Sequence, residues 1–205
     1  MPDTKGGVTM ATVIKAAWAL CLARQTQTQD MVFAQLERNR HPAMAEIERT
    51  VGPCINYVPV RVPLKPDLTA KELLHWVQRQ HIRTMTCNTA DWDDLVIEST
   101  SGPRDTEFGS TVYYLSAAVA AAYLFPGDIP CRFQIYDFKM VHTYPMVTCL
   151  TFPSVENSAV TVLKITLTSA VFGQGLAEQL LSLFRGMVIQ LTSHPESLAL
   201  ELLGG

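Results

Sequence analysis

Val51–Val62, with the sequence VGPCINYVPVRV, decides the fold of this chain, because a turn signal leads directly into a strand-like run. Gly52-Pro53 is typical of a turn, and the β-branched and aromatic residues that follow it predict a strand. Pro59 interrupts that strand and has no N–H to donate to a ladder. We therefore expect a sheet edge, a bulge, or a point where the strand leaves its partner.

Asn56 is the exception in this apolar run. A carboxamide carries two donors and an acceptor, which must find partners wherever the side chain is buried. Asn56 either bonds local backbone, as turn and bulge asparagines do, or points at a group outside the strand. The pattern alone favours the first interpretation and leaves the second open.

The spacing Val-Gly-x-x-x-Asn-x-x-Pro-Val-Arg from Val51 to Arg61 resembles the fifth core motif of condensation domains of non-ribosomal peptide synthetases, in its fungal Gly-Pro-Cys-Ile-Asn form. Residues 8–20 are similar to the helix that opens the second half of that domain. Residues 102–105 (GPRD) with 108–110 (FGS) resemble, more loosely, the seventh core motif and its strand. The resemblance covers most of the chain in the right order.

This resemblance implies an α/β (α+β) fold, a chloramphenicol-acetyltransferase-like lobe with a mixed open sheet and flanking helices. Residues 1–205 are then expected to form a single lobe, the C-terminal half of a condensation domain. In the family two lobes pack as a V around a tunnel, and peptidyl carrier domains deliver substrates on phosphopantetheine arms. An amine attacks a thioester there to give an amide, and terminal fungal members often cyclise and release the peptide. The lobe itself is expected to bind no cofactor.

The family's catalytic motif, His-His-x-x-x-Asp, does not occur among these residues. None of the five histidines has an aspartate four positions later: His41, His75, His81, His142 and His194. We therefore expect no catalytic residue in this chain and an N-terminal lobe, carrying the motif, as its partner. A non-catalytic condensation-like module that docks carrier domains stays open as the alternative. The missing motif disfavours a free-standing acetyltransferase.

By resemblance Asn56 lies close to the active centre and supports substrate or a catalytic loop, since a carboxamide does not titrate. We predict that five residues line the tunnel: Asn56, Tyr57, Ser110, Tyr113 and Ser116. A small hydroxyl on a strand facing a cleft can donate to a developing oxyanion. For each hydroxyl, the alternative is a bond to neighbouring backbone.

Composition and charge narrow the kinds of partner and environment that we expect for this protein. Hydrophobic residues make up 48% of the 205 and charged ones 17%, and the net charge is −3, which argues against nucleic acid as a partner. No run of 18 apolar residues and no basic, then apolar, N-terminus is present, so we expect a cytoplasmic protein without a membrane span. Five cysteines without a Cys-x-x-Cys pair predict buried free thiols and no metal site.

The remaining pattern predicts alternating helices and strands. Helices are expected over residues 9–24, 69–84, 176–191 and 196–203, and strands over 31–36, 55–62, 108–116, 132–138, 145–152 and 159–168. The first helix should bury an apolar stripe, and a second packing surface is expected for Trp18, which lies off the centre of that stripe. Thr69 with Glu72 should form a capping box. Gly186 should mark close packing, and residues 1–7 a loose lead-in. The charged residues 37–40 predict a solvated loop or, by resemblance, a loop near the tunnel mouth.

Overall fold

The structure is a computed structural model that describes residues 3–4, 7–38, 46–52, 54–85, 108–114, 147–153, 161–167 and 175–204. Its strands are β1 Asp3–Thr4, β2 Val8–Thr9, β3 Asp30–Arg38, β4 Ile55–Pro63, β5 Ser110–Tyr114, β6 Val147–Pro153 and β7 Thr161–Leu167. Its helices are α1 Met10–Thr26, α2 Ala70–Thr84 and α3 Leu176–Ser193, with 3₁₀ turns at Ile47–Arg49 and Glu201–Gly204.

The five longer strands form one mixed sheet in the order β4-β3-β5-β6-β7. The β3–β5 and β5–β6 pairs are parallel, whereas β3–β4 and β6–β7 are antiparallel. The three helices join the buried side chains of one sheet face in a single core. A mixed sheet with flanking helices is the architecture that the sequence predicts, and it is confirmed.

The β3–β4 ladder runs one-to-one from Asp30 opposite Pro63 to Arg38 opposite Ile55. Because no residue is skipped, Asn56 lies in a regular ladder rather than in a turn or bulge. Among the strands of the described ranges, β4 forms one edge of the sheet. Of the three settings expected for Pro59, the edge is therefore the observed one, since an edge strand tolerates a missing donor.

Helix α1 is buried on all sides, so the predicted stripe is only part of its buried surface, and the second packing surface expected for Trp18 is confirmed. Every residue from Thr12 to Cys21 is buried. The helix contacts α2 and α3 as well as β3 and β5, so each of its faces meets another element. A helix that is apolar all round belongs inside a core. Thr9 caps it by accepting a hydrogen bond from the Thr12 N–H at 3.3 Å.

Helix α2 begins with the predicted capping box, in which Thr69 and Glu72 bond each other's backbone N–H groups. The chain's last segment covers the same helix end. Ala70 N–H donates to the Ser197 carbonyl at 2.9 Å, and Leu198 forms a β-bridge with Thr69. The helix predicted over 196–203 is therefore wrong: strand-like pairing uses its first half, and only a 3₁₀ turn remains.

Three further predictions need correction. The lead-in 1–7 is not loose throughout, because β1 pairs with β2. Glu37 is no loop residue but a buried member of β3. Gly186 is exposed, and a Cβ placed there would meet no atom within 4 Å, so it does not mark close packing.

Several predictions lie outside the described residues, among them the strand over 132–138 and Ser116. Within the described ranges, none of the helices is both long and apolar enough to cross a membrane.

Candidate functional site

Strand β4 presents two different surfaces. Its helix-side face carries Asn56, followed by the buried residues Val58 and Val60. On the neighbouring strand the positions opposite these three are Glu37, Gln35 and Phe33. The other face carries Tyr57 and the exposed Arg61, since successive side chains alternate across a strand. The motif Val51–Val62 therefore contributes to both sides of the sheet.

Asn56 is half-buried near the start of β4. Its Oδ1 accepts a hydrogen bond from the Tyr57 N–H at 2.9 Å, so part of the carboxamide does bond local backbone. Gly52 precedes it with a φ of +146°, a conformation that side chains with a Cβ rarely adopt. The glycine of the motif thus shapes the approach to the strand, and the asparagine stands where the strand begins.

Ser110, on the helix-side face of β5, is buried and already bonded. Its Oγ accepts a hydrogen bond from Nε1 of Trp18 at 3.2 Å. The Trp18 indole also meets the Phe184 ring edge-on, with centroids 5.7 Å apart and planes at 84°. Trp18 therefore links α1, α3 and β5, and the Ser110 hydroxyl takes part in that link.

Tyr57 and Tyr113 lie together on the other face of the sheet. Both are register partners of Leu36, one from each side. Two strand spacings separate them, which is about 10 Å. The structure therefore places Tyr57 and Tyr113 on one face and Asn56 and Ser110 on the other. Asn56 is opposite Glu37, whereas Ser110 precedes Thr111, the partner of Ala34, so these last two are not neighbours. The place of all four predicted residues in a tunnel stays a prediction.

A chain of buried polar side chains, which the sequence did not reveal, leads toward Asn56. We call it the polar chain, and its members are Lys15, Gln35, Glu37 and His81. Lys15 Nζ donates to Gln35 Oε1 at 3.0 Å, and Gln35 Nε2 donates to Glu37 Oε1. Nδ1 of His81 lies 3.1 Å from the same carboxylate oxygen, although its geometry is not that of a hydrogen bond.

The electrostatics of the polar chain are dominated by Lys15. Burial lowers the pKa of its ammonium to about 8, and the Glu37 carboxylate opposes that shift. The signal in the sequence was a lone lysine in the otherwise uncharged stretch Met10–Cys21. Gln35 likewise interrupts the apolar run of β3. A long polar side chain inside each of two apolar runs, residues 13–21 and 31–36, is the signal that could have suggested their pairing.

The arginine of the motif, Arg61, forms an ion pair at the edge of the sheet. Arg61 Nη2 and Nε donate to the carboxylate of Asp30 at 2.7 and 3.0 Å, and this bidentate bond lowers the pKa of Asp30. Their side chains are 66% and 49% exposed. An ion pair so open to water adds little to the stability of the fold. The Arg61 carbonyl also accepts a bond from Gln80 of α2 at 3.0 Å.

Two cysteines of the described ranges, Cys21 and Cys54, are free thiols. Cys21 is buried in α1, and burial raises its pKa to about 12, which suppresses the reactive thiolate. Across the described residues, no group of three His, Cys, Asp or Glu side chains is placed to hold a metal ion.

Known proteins match this chain over almost all of its length. Residues 4–202 match the family model described as Condensation domain. D-lysergyl-peptide-synthetase subunit 1 of Epichloe festucae var. lolii is 77% identical over 203 residues, which are 99% of this chain and 6% of that protein. Nonribosomal peptide synthetase lenA of Aspergillus lentulus is 48% identical over 98% of this chain and 4% of its own length. The chain thus spans a small part of these relatives.

A solved structure shares the fold. The crystal structure of holo T3CT superimposes with a TM-score of 0.74 at 25% identity, over 94% of this chain and 43% of that one. The family match runs without interruption through the Val51–Val62 motif, the mixed sheet and all three helices. The chain therefore belongs to the condensation-domain family of non-ribosomal peptide synthetases.

Proposed function

We propose that this chain is the C-terminal lobe of a condensation domain and supplies one wall of the tunnel in which carrier-bound substrates are joined. One observation carries the proposal: residues 4–202 match the condensation family, yet the 205 residues contain no His-His-x-x-x-Asp motif. This chain matches 43% of the holo T3CT chain, which supports the proposal that it forms one lobe of a larger domain. The catalytic histidine then comes from an N-terminal lobe that packs against this one.

The reaction proposed is aminolysis of a thioester. The amine nitrogen of one substrate attacks the carbonyl carbon of the other, a C–N bond forms, and the C–S bond to the phosphopantetheine arm breaks. The proton lost by the amine ends on the departing thiolate, so the products are an amide and a free thiol. An intramolecular amine gives a cyclic product instead and releases the peptide from its carrier.

This lobe contributes by positioning rather than by proton transfer. Holding amine and thioester in a reactive arrangement can lower the barrier by roughly 7–11 kcal/mol. We assign Asn56 to supporting substrate or the catalytic loop, because a carboxamide donates and accepts hydrogen bonds without titrating. Tyr57, Tyr113, Ser110 and Ser116 remain candidates for the tunnel wall. The phosphopantetheine arms arrive with the carrier domains as part of the substrates.

Reconstitution tests this proposal. The chain alone, and the chain mixed with a separately produced N-terminal lobe bearing the His motif, are supplied with acyl and aminoacyl carrier proteins, and linear and cyclic amides are quantified by mass spectrometry. We expect product only from the mixture. Amide formed by the chain alone would overturn the proposal, and so would a mixture that assembles but makes none.

The Asn56→Ala variant distinguishes a lobe that supports catalysis from a lobe that only docks carrier domains. If Asn56 supports the reacting groups, the assembled protein should fold, bind carrier domains and turn over more slowly. Thr28→Ala, at an exposed site in the α1–β3 connection, is the matched control. An unchanged rate in Asn56→Ala would favour the non-catalytic module.

A further inference from the structure

The polar chain spans three elements and ends beside the motif asparagine. Lys15 comes from α1, Gln35 and Glu37 from β3, and His81 from the last turn of α2. Lys15 is 2% exposed and Glu37 9%, so both charged groups are inside the protein. No other pair of described acidic and basic side chains is buried to this degree.

Burial makes this arrangement costly unless its geometry is fixed. A buried charge without good partners is expensive, and an apolar side chain of similar size is often as stabilising. What hydrogen bonds add is direction, since each one sets the rotation of the next side chain. Gln35 shows this clearly: its Oε1 accepts from Lys15 while its Nε2 donates to Glu37, so the amide has one orientation only.

Glu37 and Asn56 occupy directly opposite positions in the β3–β4 ladder. Their side chains therefore leave the sheet on the same face, with Cβ atoms about 4.5–5.5 Å apart. A carboxylate only accepts hydrogen bonds, so it favours a neighbouring carboxamide turned with its NH₂ toward it. That orientation agrees with Oδ1 of Asn56 being engaged by the Tyr57 N–H.

We propose that the polar chain positions Asn56, with Glu37 as the positioning residue and Gln35, itself bonded by Lys15, orienting the Glu37 carboxylate beside His81. The orientation of the Asn56 carboxamide follows from the geometry of the polar chain and does not depend on the function proposed for Asn56. Its effect on turnover rests on the proposed function of Asn56.

The side-chain amide of Asn56 reports its own position by NMR. In the ¹⁵N-labelled 205-residue chain its resonance pair is assigned by its loss in Asn56→Asp. Lys15→Met breaks the far end of the polar chain and Glu37→Gln the near end, whereas Asp30→Asn removes an exposed carboxylate at the other end of β3. We expect both polar-chain variants to shift or broaden the Asn56 amide signals and Asp30→Asn to leave them in place.

The response to Lys15→Met is the main test, because Lys15 reaches Glu37 through its hydrogen bond to Gln35 and also through the direct attraction between the two charges. An unmoved Asn56 amide in a folded Lys15→Met protein would overturn the proposal. Should that variant not fold, Gln35→Met breaks the hydrogen-bonded connection without burying or removing a charge, and the same outcome applies to it.

Kinetics of the reconstituted enzyme separate this inference from the proposed function. Glu37→Gln should lower kcat by about 10- to 100-fold, the size expected for a displaced reacting group, with KM nearly unchanged. It should have no further effect in an Asn56→Ala background. An amide shift with unchanged kcat would support the positioning of Asn56 and contradict its role in turnover; full additivity of the two substitutions would contradict positioning.

Discussion

Trp18 illustrates how single residues hold this fold together. Its ring packs edge-on against Phe184, and its one polar atom bonds the Ser110 hydroxyl. A buried indole N–H without a partner would lose about 1–3 kcal/mol, so the hydroxyl on β5 also contributes to the stability of the core. Hydrogen bonds between individual polar atoms therefore contribute to the stability of the core on this side of the sheet.

We predict that Trp18→Phe and Ser110→Ala each lower the free energy of unfolding by about 1–3 kcal/mol and that their effects overlap by about 1 kcal/mol. The overlap is expected because either substitution removes the same hydrogen bond. Urea denaturation of the two single variants and the double variant measures it. Strict additivity would show that the bond contributes nothing.

Lys15 predicts a rise in stability with pH. Its pKa is about 8 in the folded protein, against an ordinary lysine value of 10.5, so between these values the unfolded chain binds more protons. The free energy of unfolding should therefore increase from pH 7 to pH 10, by roughly 2–3 kcal/mol from this group. Below pH 8 the full cost of the buried ammonium is present.

Cys21 opposes this effect above pH 9, because its thiol stays protonated in the folded protein up to about pH 12. The measurement is therefore made in a Cys21→Ala background, with and without Lys15→Met, by denaturant titration at each pH. A rise of the same size in the Lys15→Met variant would assign it to other groups.

At the scale of elements, Gly52 and Gly186 differ in backbone conformation. Gly186 lies exposed inside α3 with open space around its Cβ position, whereas Gly52 has a φ of +146°. Glycine in a helix interior costs roughly 0.5–1 kcal/mol relative to alanine. At Gly52, alanine would have to adopt a strained backbone.

Gly186→Ala should therefore raise the free energy of unfolding by about 0.5–1 kcal/mol, and Gly52→Ala should lower it. Thermal melts of both variants under identical conditions give the signs. A destabilised Gly186→Ala protein would mean that the site is packed after all.

The whole molecule depends on its last residues. The segment after α3 bonds the first turn of α2 through the Pro195 and Ser197 carbonyls, and it buries Ala199 and Leu202 in the common core. It therefore connects two helices that lie far apart in sequence, and the core is incomplete without it.

Truncation after His194 is predicted to cost at least about 3 kcal/mol, since it uncovers a buried leucine and frees two helix-end N–H groups. Circular dichroism with urea titration measures the loss. A chain shortened by Gly205 alone is the control and should keep wild-type stability. Equal stability of the two truncated chains would contradict this role of the segment.

Local chemistry decided how much of this molecule could be predicted from sequence. The Thr69 capping box acts within a few residues, so the start of α2 was predictable, whereas Pro59 left three settings open for β4, of which the edge is one. The bond of Ser110 was not predictable, because its partner Trp18 is 92 positions away. Glu37 was assigned to a loop, either solvated or near the tunnel mouth. Its partner Gln35 is local, but His81 of α2 and the Lys15 of α1 that holds Gln35 come near only in the fold. Contacts between residues far apart in sequence leave no periodic pattern along the chain from which they could be predicted.

Pro59 has a consequence beyond the position of β4. The rim of a sheet is a template on which a foreign strand can add, and repeated addition leads to fibrous aggregates. A rigid imino acid in the middle of that rim offers no donor to an incoming strand. We therefore expect the same residue that helps to identify the motif also to disfavour the addition of a foreign strand at this edge.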